Sequence, residues 1–327
     1  MCPTFSGSRI KPPALRSGDV VGIVAPASNI HRDSLEAGCE ALTALGYKPF
    51  YLDSILEKDI YFAGSLERRT RELEEMFVRD EVRAIVCARG GYGSNYLLQT
   101  LDLEKIKAHP KIFVGYSDHT SLLTYLADAA GITTFHGPMV TKDFAREDGI
   151  DLDSWHDALG GTSQWTLKMN PEVKSLAEGT TEGSLYGGCL SILVASLGTP
   201  YEIQTAGTIL FIEDFGEKPY QIDRMLMQLK MSGKLAEVRG IIFGEMLDCV
   251  QLATKDQGYT LEQIVLRGAG DLGIPVAYGL RSGHVSGRNI TLPMGVRTGL
   301  NVSSGGVELT ILESATTAVA VSSNTVK

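Results

Sequence analysis

Residues 111–130 place a serine at the junction between a predicted strand and a predicted helix. Residues 112–114 form a short apolar run typical of a buried strand, and apolar residues recur at helical spacing from position 122. Ser117 lies between the two, and Gly115 lets the backbone turn sharply, so the serine oxygen is exposed. Unpaired N–H groups at the start of the helix lie beside such an oxygen. The pattern is that of a nucleophile next to an oxyanion site, as in the G-x-S-x-G turn.

The match to that motif is partial, because His119 stands where its final glycine is expected. Ser117 and Asp118 have an alternative role as caps of the helix, since their side chains can accept hydrogen bonds from its first N–H groups. His119 is two residues into the helix, and we predict that it points to solvent. A nucleophile and a helix cap are therefore both open interpretations of this segment.

Two histidines are candidates for the base that a serine nucleophile needs. His284 lies in a glycine-flanked loop, residues 282–287, which follows the apolar stretch 275–280. Catalytic groups concentrate on such loops, although an exposed turn histidine has the same local sequence. His136 is the rival, because it follows a predicted strand in the same half of the chain as Ser117.

Glu213 is the candidate for the acid that orients the base. It ends the apolar strand 208–212 and is followed by Asp214. A carboxylate that closes a buried strand is costly unless it is hydrogen-bonded or paired, so a partner is expected. Glu217, in the turn that follows, is interpreted as a surface charge.

A glycine-rich turn, RGGYG at residues 89–93, follows the predicted strand 82–88. It lacks the Lys-Ser/Thr of a P-loop and the full G-x-G-x-x-G spacing. We therefore predict that its backbone approaches the substrate and that its N–H groups donate to an oxyanion. A purely structural turn is the alternative.

Strands and helices alternate through the first half of the chain. Strands are predicted at 20–27, 48–52, 82–88, 112–114 and 133–135, and helices at 34–45 and 68–78. This order predicts a parallel sheet covered on both faces, with ligands bound beyond the carboxyl ends of the strands. The 89–93 turn, Ser117 and His136 all follow such ends, so we expect them to lie close together.

The pattern weakens between residues 149 and 184, where turn signals dominate. Beyond it, helices are predicted at 190–197, 221–231 and 261–266, and strands at 208–212, 238–244, 290–293 and 307–312. This mixture predicts an α/β or β/β/α second domain. We divide the chain into an N-terminal α/β domain at 1–165, a crossover linker at 166–184 and a C-terminal domain at 185–327.

The 327 residues are 43% hydrophobic and 21% charged, as in ordinary globular proteins. The net charge of −9 argues against a nucleic-acid partner, which requires a basic face. No apolar run has the length of a membrane span, and residues 1–19 lack the apolar core of a signal peptide. The five cysteines, Cys2 among them, and the six histidines show no disulfide or metal spacing. We therefore predict reduced thiols, a cytoplasmic location and no metal.

These segments together resemble the LD-carboxypeptidase family of serine peptidases, which includes muramoyltetrapeptide carboxypeptidases and microcin C self-immunity peptidases. Six landmarks carry the resemblance along nearly the whole chain: GDVVGIVAPAS (18–28), ARGGYG (88–93), VGYSD (114–118), FHGPM (135–139), LFIEDFGEKPYQIDRML (210–226) and GHVSGRNITLP (283–293). The resemblance implies a flavodoxin-like parallel sheet in the N-terminal domain and a swivelling β/β/α C-terminal domain. It also implies a cytoplasmic homodimer that needs no cofactor.

The resemblance further implies roles for the site residues. The catalytic triad falls on Ser117, Glu213 and His284, and the oxyanion donors are the backbone N–H groups of Gly91 and Asp118. The nucleophile then comes from one domain and the acid and base from the other, so domain orientation would control assembly of the triad. The reaction implied is removal of the terminal D-alanine from a murein tetrapeptide.

Substrate contacts are predicted from position in the motifs. Arg89 and Arg288 are candidates for binding the free carboxylate of the substrate, with structural ion pairs as the alternative. Tyr92 and His136 are further candidates for substrate contact. One departure from the family stands at Cys189, because the family often has Asn after the two preceding glycines.

Two other functions remain open. A microcin C-type hydrolase would cleave an aminoacyl-nucleotide conjugate with the same triad, and it differs by an aromatic platform for the nucleobase. Trp155 and Trp165 are the only tryptophans, and neither clearly supplies that platform. A non-catalytic small-ligand binding protein, a different class, would share the two-domain layout, but the complete set of serine, acid and histidine counts against it.

Overall fold

Residues 9–249 and 259–318 are described by a computed structural model and form two sheets with their covering helices. The strands are β1 (Val20–Val24), β2 (Lys48–Phe50), β3 (Val82–Cys87), β4 (Ile112–Gly115), β5 (Thr134–His136), β6 (Trp165–Thr166), β7 (Lys174–Ala177), β8 (Gly179–Cys189), β9 (Thr208–Glu213), β10 (Gly240–Gly244), β11 (Val276–Leu280), β12 (Leu292–Met294), β13 (Arg297–Ser303) and β14 (Gly306–Ile311). The α-helices are α1 (Arg32–Ala44), α2 (Leu66–Val78), α3 (Leu103–Ala108), α4 (Thr120–Tyr125), α5 (Leu152–Leu159), α6 (Leu190–Ala195), α7 (Pro219–Met231) and α8 (Leu261–Ala269). Short 3₁₀ or π segments cover Asp53–Leu56, Ser94–Gln99, Ser117–His119, Leu126–Ala130, Val140–Phe144 and Gly270–Leu272.

The first sheet has the strand order β12-β5-β4-β3-β1-β2. Strands β1 to β5 run parallel, and their order is that of flavodoxin-like sheets, so the predicted fold of the first half is confirmed. The sixth strand, β12, pairs antiparallel with β5 and comes from the far end of the chain. The division of the chain at residue 185 therefore differs from the structure, because a late segment completes the N-terminal sheet.

The second sheet has the order β6-β14-β13-β8-β9-β10-β11-β7. Its centre, β8 to β11, is parallel, and antiparallel strands flank it on both sides. Residues 166–184, predicted as a linker, contain β7 and the first part of β8. Their Gly, Thr and Ser content is typical of turns, but pairing with β13 and β11, which are distant in sequence, makes them strands.

The two faces of β9 pack against different parts of the molecule. Leu210 and Ile212 lie in a core with helices α6, α7 and α8, whereas Ile209 and Phe211 face the core shared with the first sheet. Side chains alternate along a strand, so the next residue, Glu213, points to the side of Ile209 and Phe211. Its carboxylate is thereby buried between the two sheets, with no solvent exposure.

Cys39, Cys87, Cys189 and Cys249 are free thiols, and Cys2 lies outside the described residues. Across the ranges 9–249 and 259–318, we find no helix that is both long and apolar enough to cross a membrane.

Helix α1 lies unusually close to the segment Val140–Phe144, and Gly38 is the point of closest approach. A Cβ atom on Gly38 would lie 2.3 Å from the Val140 carbonyl oxygen and 2.5 Å from Val140 Cγ1. Because the nearest neighbour is backbone, the contact is relieved only by moving helix α1 away from the segment Val140–Phe144.

We expect Gly38→Ala to lower the free energy of unfolding, measured by urea denaturation, by about 1–3 kcal/mol. Helix propensity alone predicts the opposite sign, a gain of about 1 kcal/mol. The matched control is Gly305→Ala, where the added Cβ would meet Ser303 Oγ at an ordinary 3.6 Å and little change is expected. A stabilised Gly38→Ala protein would contradict the close approach.

Candidate functional site

Ser117 occupies a strained turn between β4 and α4. Its φ angle is +62°, in the left-handed region that non-glycine residues rarely adopt. The turn packs against the 89–93 loop so tightly that a Cβ on Gly90 would lie 2.9 Å from Ser117 Cβ and 3.0 Å from its Oγ. The predicted sharp turn is therefore present, and its strained serine is presented at the carboxyl end of a parallel strand.

The glycine-rich loop brings a backbone donor to this place. Gly91 has a φ angle of +106°, and a Cβ there would lie 2.3 Å from Ser28 Oγ, so the position requires glycine. Ser28 Oγ accepts a hydrogen bond from the N–H of Tyr92 at 3.1 Å. Within the described residues the Gly91 N–H has no acceptor, so it is available to a ligand in the cavity beside Ser117.

The prediction that His119 points to solvent is wrong. Its ring is fully buried, with Nδ1 2.8 Å from Ser94 Oγ and Nε2 2.8 Å from the Arg89 carbonyl oxygen. The carboxylate of Asp118 also reaches this loop and accepts a hydrogen bond from the Ser94 N–H at 2.8 Å. Burial lowers the pKa of His119, which favours the neutral ring. Its hydrogen bonds connect the serine turn to the glycine loop.

His284 and Glu213 form a close pair across the second domain. His284 Nδ1 lies 2.8 Å from Glu213 Oε2, and the His284 N–H donates to the same oxygen at 3.0 Å. Burial alone would raise the pKa of Glu213, but the hydrogen-bonded His284 and the nearby His136 outweigh it and lower this pKa to about 2. Burial likewise opposes charge on His284, yet Glu213 raises the pKa of His284 above its usual value.

A cavity of about 610 Å³ brings these groups together. Ser117, Asp118, Gly91 and His284 all line it, and the rings of His284 and Tyr116, the residue before the serine, meet edge to face at 5.1 Å. No hydrogen bond joins Ser117 to His284 anywhere in the described part of the chain. The structure thus places the predicted serine and the predicted base at one cavity wall, with the pair of histidine and glutamate already formed.

Charged residues of both signs line the cavity. The first domain contributes Arg89, Lys142, Arg146, Asp118 and Asp143, and the second contributes Asp214 and Glu217. Glu217 is therefore part of the cavity wall. Burial, followed by the charge of Glu213, raises the pKa of Asp214 to about 6.

The remaining predicted substrate contacts lie elsewhere. Arg288 pairs with Asp148 at 2.8 Å and lines a separate cavity. Tyr92 lines a neighbouring cavity and packs against Tyr61, Phe62 and Tyr96. His136 is fully buried behind Glu213 and does not line the cavity that holds Ser117.

Sequence reasoning missed Lys142 and Phe215. Lys142 follows the FHGPM landmark by three residues, and it has no ion pair among residues 9–249 and 259–318. Phe215 stacks on the His284 ring, with centroids 5.3 Å apart and planes at 25°. The available signal was its place in the DFGEKP run, two residues after the candidate acid Glu213.

Cys189 occupies the position where the family often has Asn. Its N–H donates to Thr120 Oγ1 at 3.0 Å, which links the second domain to helix α4. Its thiol lies 3.6 Å from Asp214 Oδ1, and burial together with Asp214 raises its pKa, so the thiol stays protonated. Among the described residues, no group of three or more His, Cys, Asp or Glu side chains is arranged to hold a metal ion.

The site is of the serine hydrolase type. A doubly wound sheet presents a strained serine beside a glycine loop, and a histidine and glutamate pair lines the same cavity. The chain matches the LD-carboxypeptidase N-terminal domain over residues 21–137 and the LD-carboxypeptidase C-terminal domain over residues 182–300. It belongs to the LD-carboxypeptidase family.

Individual relatives agree with this assignment. A probable murein peptide carboxypeptidase of Bacillus subtilis is 40% identical over 296 residues, which cover 90% of this chain and 92% of the relative. A murein tetrapeptide carboxypeptidase of Pseudomonas aeruginosa is 32% identical over 276 residues, covering 81% and 87%. The microcin C7 self-immunity protein of Escherichia coli is 28% identical over 330 residues, covering 90% and 94%.

Solved structures show the same fold. The muramoyltetrapeptide carboxypeptidase from Oxalobacter formigenes superposes with a TM-score of 0.80 at 32% identity, covering 90% of this chain and 99% of that one. The wild-type apo microcin C7 self-immunity protein gives a TM-score of 0.86 at 24% identity, covering 94% and 100%. At 24% identity, the similarity to the microcin C7 self-immunity protein shows only a shared fold.

We expect Glu213→Gln to lower the pKa of His284 by at least about 1, because burial is then no longer opposed by a carboxylate charge. The measurement is a titration of the histidine ring protons by NMR on the resting protein. Glu217→Gln is the matched control, since Glu217 lines the same cavity without contacting His284. An unchanged His284 titration in Glu213→Gln would show that the pair is not electrostatically coupled.

Proposed function

We propose that this protein is a serine-type LD-carboxypeptidase that removes the terminal D-alanine from murein tetrapeptides. The observation that carries the proposal is the meeting, at one cavity, of Ser117 on its strained turn and the His284–Glu213 pair. Family membership and the names of two relatives that act on murein peptides support the substrate.

Ser117 is the proposed nucleophile and His284 its base. Glu213 holds the His284 Nδ1 proton, so the neutral ring presents its Nε2 lone pair. Nε2 accepts the proton of Ser117 as Oγ attacks the carbonyl carbon, and it then passes that proton to the nitrogen of the leaving D-alanine. A water molecule then attacks the serine ester: Nε2 takes a proton from the water and returns it to Ser117 Oγ as the ester bond breaks, which releases the shortened peptide.

The oxyanion of the tetrahedral intermediate is proposed to accept hydrogen bonds from the N–H groups of Gly91 and Asp118. Both residues line the cavity beside Ser117, and the Gly91 N–H has no acceptor within the described residues. Closure of the two domains would complete this arrangement by setting the distance from Ser117 to His284, which belong to different domains.

Lys142 is proposed to bind the free carboxylate of the terminal D-alanine, together with Arg89. A carboxypeptidase must recognise that carboxylate, and Lys142 is an exposed cation on the cavity wall. It lies close enough to His284 to lower the pKa of that ring, so a carboxylate bound there sits beside the reacting bond. Arg288 pairs with Asp148 and lines another cavity, so it is not placed for this role.

The tryptophans do not favour the microcin-type substrate. Trp155 is buried against Tyr47 and Phe144, and Trp165 lies in β6 of the second sheet, so neither lines the cavity. From the family resemblance we also propose that the enzyme is a cytoplasmic homodimer that acts in peptidoglycan recycling. Sedimentation velocity over a range of concentrations tests the dimer.

Replacing Ser117 with Ala should lower the release of D-alanine from a purified tetrapeptide by about 10⁴–10⁶-fold, because the nucleophile is lost. Free D-alanine is measured by mass spectrometry. Ser121→Ala is the matched control: its hydroxyl, on the same turn of chain, bonds the Asp118 carbonyl oxygen and has no role in the chemistry. Equal loss in both variants, or none in Ser117→Ala, would contradict the assignment.

Replacing Lys142 with Met should raise KM by about tenfold or more, the value of one hydrogen bond to a charged group, with a smaller effect on kcat. The variant should also lose the preference for a terminal carboxylate over the same peptide with a terminal carboxamide. Arg288→Met is the control and should behave as the wild type does. If Arg288→Met raised KM and Lys142→Met did not, the carboxylate site would lie in the other cavity.

A further inference from the structure

The loop that carries His284 is held near its base by a side chain that does not line the cavity. Asn289 Oδ1 accepts a hydrogen bond from the Gly283 N–H at 2.9 Å, and Asn289 Nδ2 donates to the Gly283 carbonyl oxygen at 3.1 Å. One carboxamide therefore holds both backbone polar groups of the residue that precedes the base. Asn289 is fully buried, and the cavity beside Ser117 is lined by other residues.

Gly283 is the place where a small shift of this loop would reach the pair of histidine and glutamate. Its φ angle is +95°, and a Cβ there would lie 2.7 Å from Glu213 Cδ, so the Gly283 backbone packs directly on the carboxylate. The next N–H, that of His284, donates to Glu213 Oε2 at 3.0 Å, and His284 Nδ1 lies 2.8 Å from the same oxygen. Whatever fixes the Gly283 backbone therefore also fixes the two hydrogen bonds that orient the base.

A carboxamide suits this position because it both donates and accepts. Gly283 is buried, and within residues 9–249 and 259–318 its N–H and carbonyl oxygen have no other hydrogen-bond partner. Each of these groups would be destabilising if it were left unpaired in a buried site. An aspartate at 289 would accept from the N–H, but its second oxygen would face the carbonyl oxygen.

The backbone of Asn289 is itself anchored to the first half of the chain, which carries the serine. Its N–H donates to the Gly149 carbonyl oxygen at 2.9 Å, and its carbonyl oxygen accepts from the Asp151 N–H at 3.0 Å. Strand β12, which begins three residues later, belongs to the first sheet. The base loop is thus attached to the first domain through Asn289 and to the second domain through Glu213.

We propose that Asn289 is a positioning residue, whose carboxamide fixes the Gly283 backbone so that His284 is held on Glu213 and directed into the cavity. Asn289 lies outside the cavity wall, so it acts on the reaction through His284 and not through the substrate. Its loss should therefore affect kcat more than KM. This role rests on the function proposed above, in which His284 is the base.

Other anchors keep the loop attached when Asn289 is changed. Glu245 Oε2 accepts from the Ser286 N–H at 2.9 Å, and Glu245 Oε1 accepts from the Ser286 hydroxyl. The Ile290 N–H donates to the Arg281 carbonyl oxygen at 2.8 Å, which joins the two ends of the loop. Substitution of Asn289 is therefore expected to loosen the segment next to the base without releasing the whole loop.

Asn170 provides a matched control, because its carboxamide holds a neighbouring stretch of backbone away from the base. Asn170 Nδ2 donates to the Gly279 carbonyl oxygen at 3.0 Å, and Asn170 Oδ1 accepts from the Arg281 N–H at 3.3 Å. Asn170→Ala therefore removes two hydrogen bonds of the same kind as Asn289→Ala does. If Asn289 had only a structural role, the two variants should behave alike.

The kinetic test is the release of D-alanine from a purified tetrapeptide. Asn289→Ala should lower kcat by about tenfold to hundredfold, because a displaced base loses much of its contribution to the rate, and KM should change little. Asn289→Ser leaves a smaller void, which a bridging water can fill, so its loss should be smaller. Asn170→Ala should keep both kcat and KM close to the wild-type values.

The proton between His284 Nδ1 and Glu213 gives a second measurement, which needs no catalysis. An imidazole proton bonded to a carboxylate resonates far downfield in ¹H NMR, and it is visible only while its exchange with water is slow. We expect this signal in the resting wild type, where its loss in His284→Gln assigns it, and in Asn170→Ala. In Asn289→Ala, the signal should be broadened or lost.

Equal losses of kcat in Asn289→Ala and Asn170→Ala would overturn the proposal, as would an unchanged signal in Asn289→Ala or its absence from the wild type. If Asn289→Ala does not fold, Asn289→Ser and hydrogen exchange of the wild-type Gly283 amide decide. Slow exchange supports the hydrogen bond to Asn289, and exchange as fast as in an open loop contradicts it. If the wild type releases no D-alanine, the proposed function fails, whereas the NMR signal still tests whether Asn289 holds the pair.

Discussion

The buried charge of Glu213 is the constraint on which the candidate site depends. A carboxylate enclosed between two sheets is strongly destabilising unless its oxygens are paired. The alternation of β9 sends this side chain toward the first domain, and glycines at 244 and 283 let the backbone close around it. Two histidines from different domains meet its two oxygens. The same contacts that make the charge tolerable therefore also orient the base and hold the domains in register.

The serine turn is a second stressed feature, and it is stabilised by a different set of contacts. A non-glycine residue at a left-handed φ costs about 1–3 kcal/mol and persists only where its surroundings enforce it. Here His119, buried and neutral, links Ser94 and the Arg89 carbonyl oxygen, and Asp118 accepts from Ser94. These bonds fasten the serine turn to the glycine loop. The strained backbone of Ser117 and the N–H donor of Gly91 are thus fixed relative to each other before any substrate arrives.

The parts of this architecture that depend on local pattern could be predicted from the sequence. The alternation of strands and helices predicted the parallel sheet of the first half, and the family resemblance implied its flavodoxin-like form. The position of Ser117 between β4 and α4 followed from periodicity. Local pattern does not reveal pairing between distant segments, which is why the sequence predicts a linker where the structure has β7 and the first part of β8. The burial of His119, the exposure of Lys142 at the cavity and the approach of His136 to Glu213 all depend on tertiary packing. None of these three features can be predicted from residue spacing within one segment.

The return of β12 to the first sheet has a consequence for how the protein is made. Leu292 to Met294 pair with the strand that carries His136, so that strand lacks this neighbour until residues 292–294 have left the ribosome. An unpaired strand edge invites association with other chains. The nascent half that carries the serine is consequently incomplete during synthesis, and a gene fragment ending between the two domains would encode a sheet with an open edge. The two domains share one sequence without being separable modules.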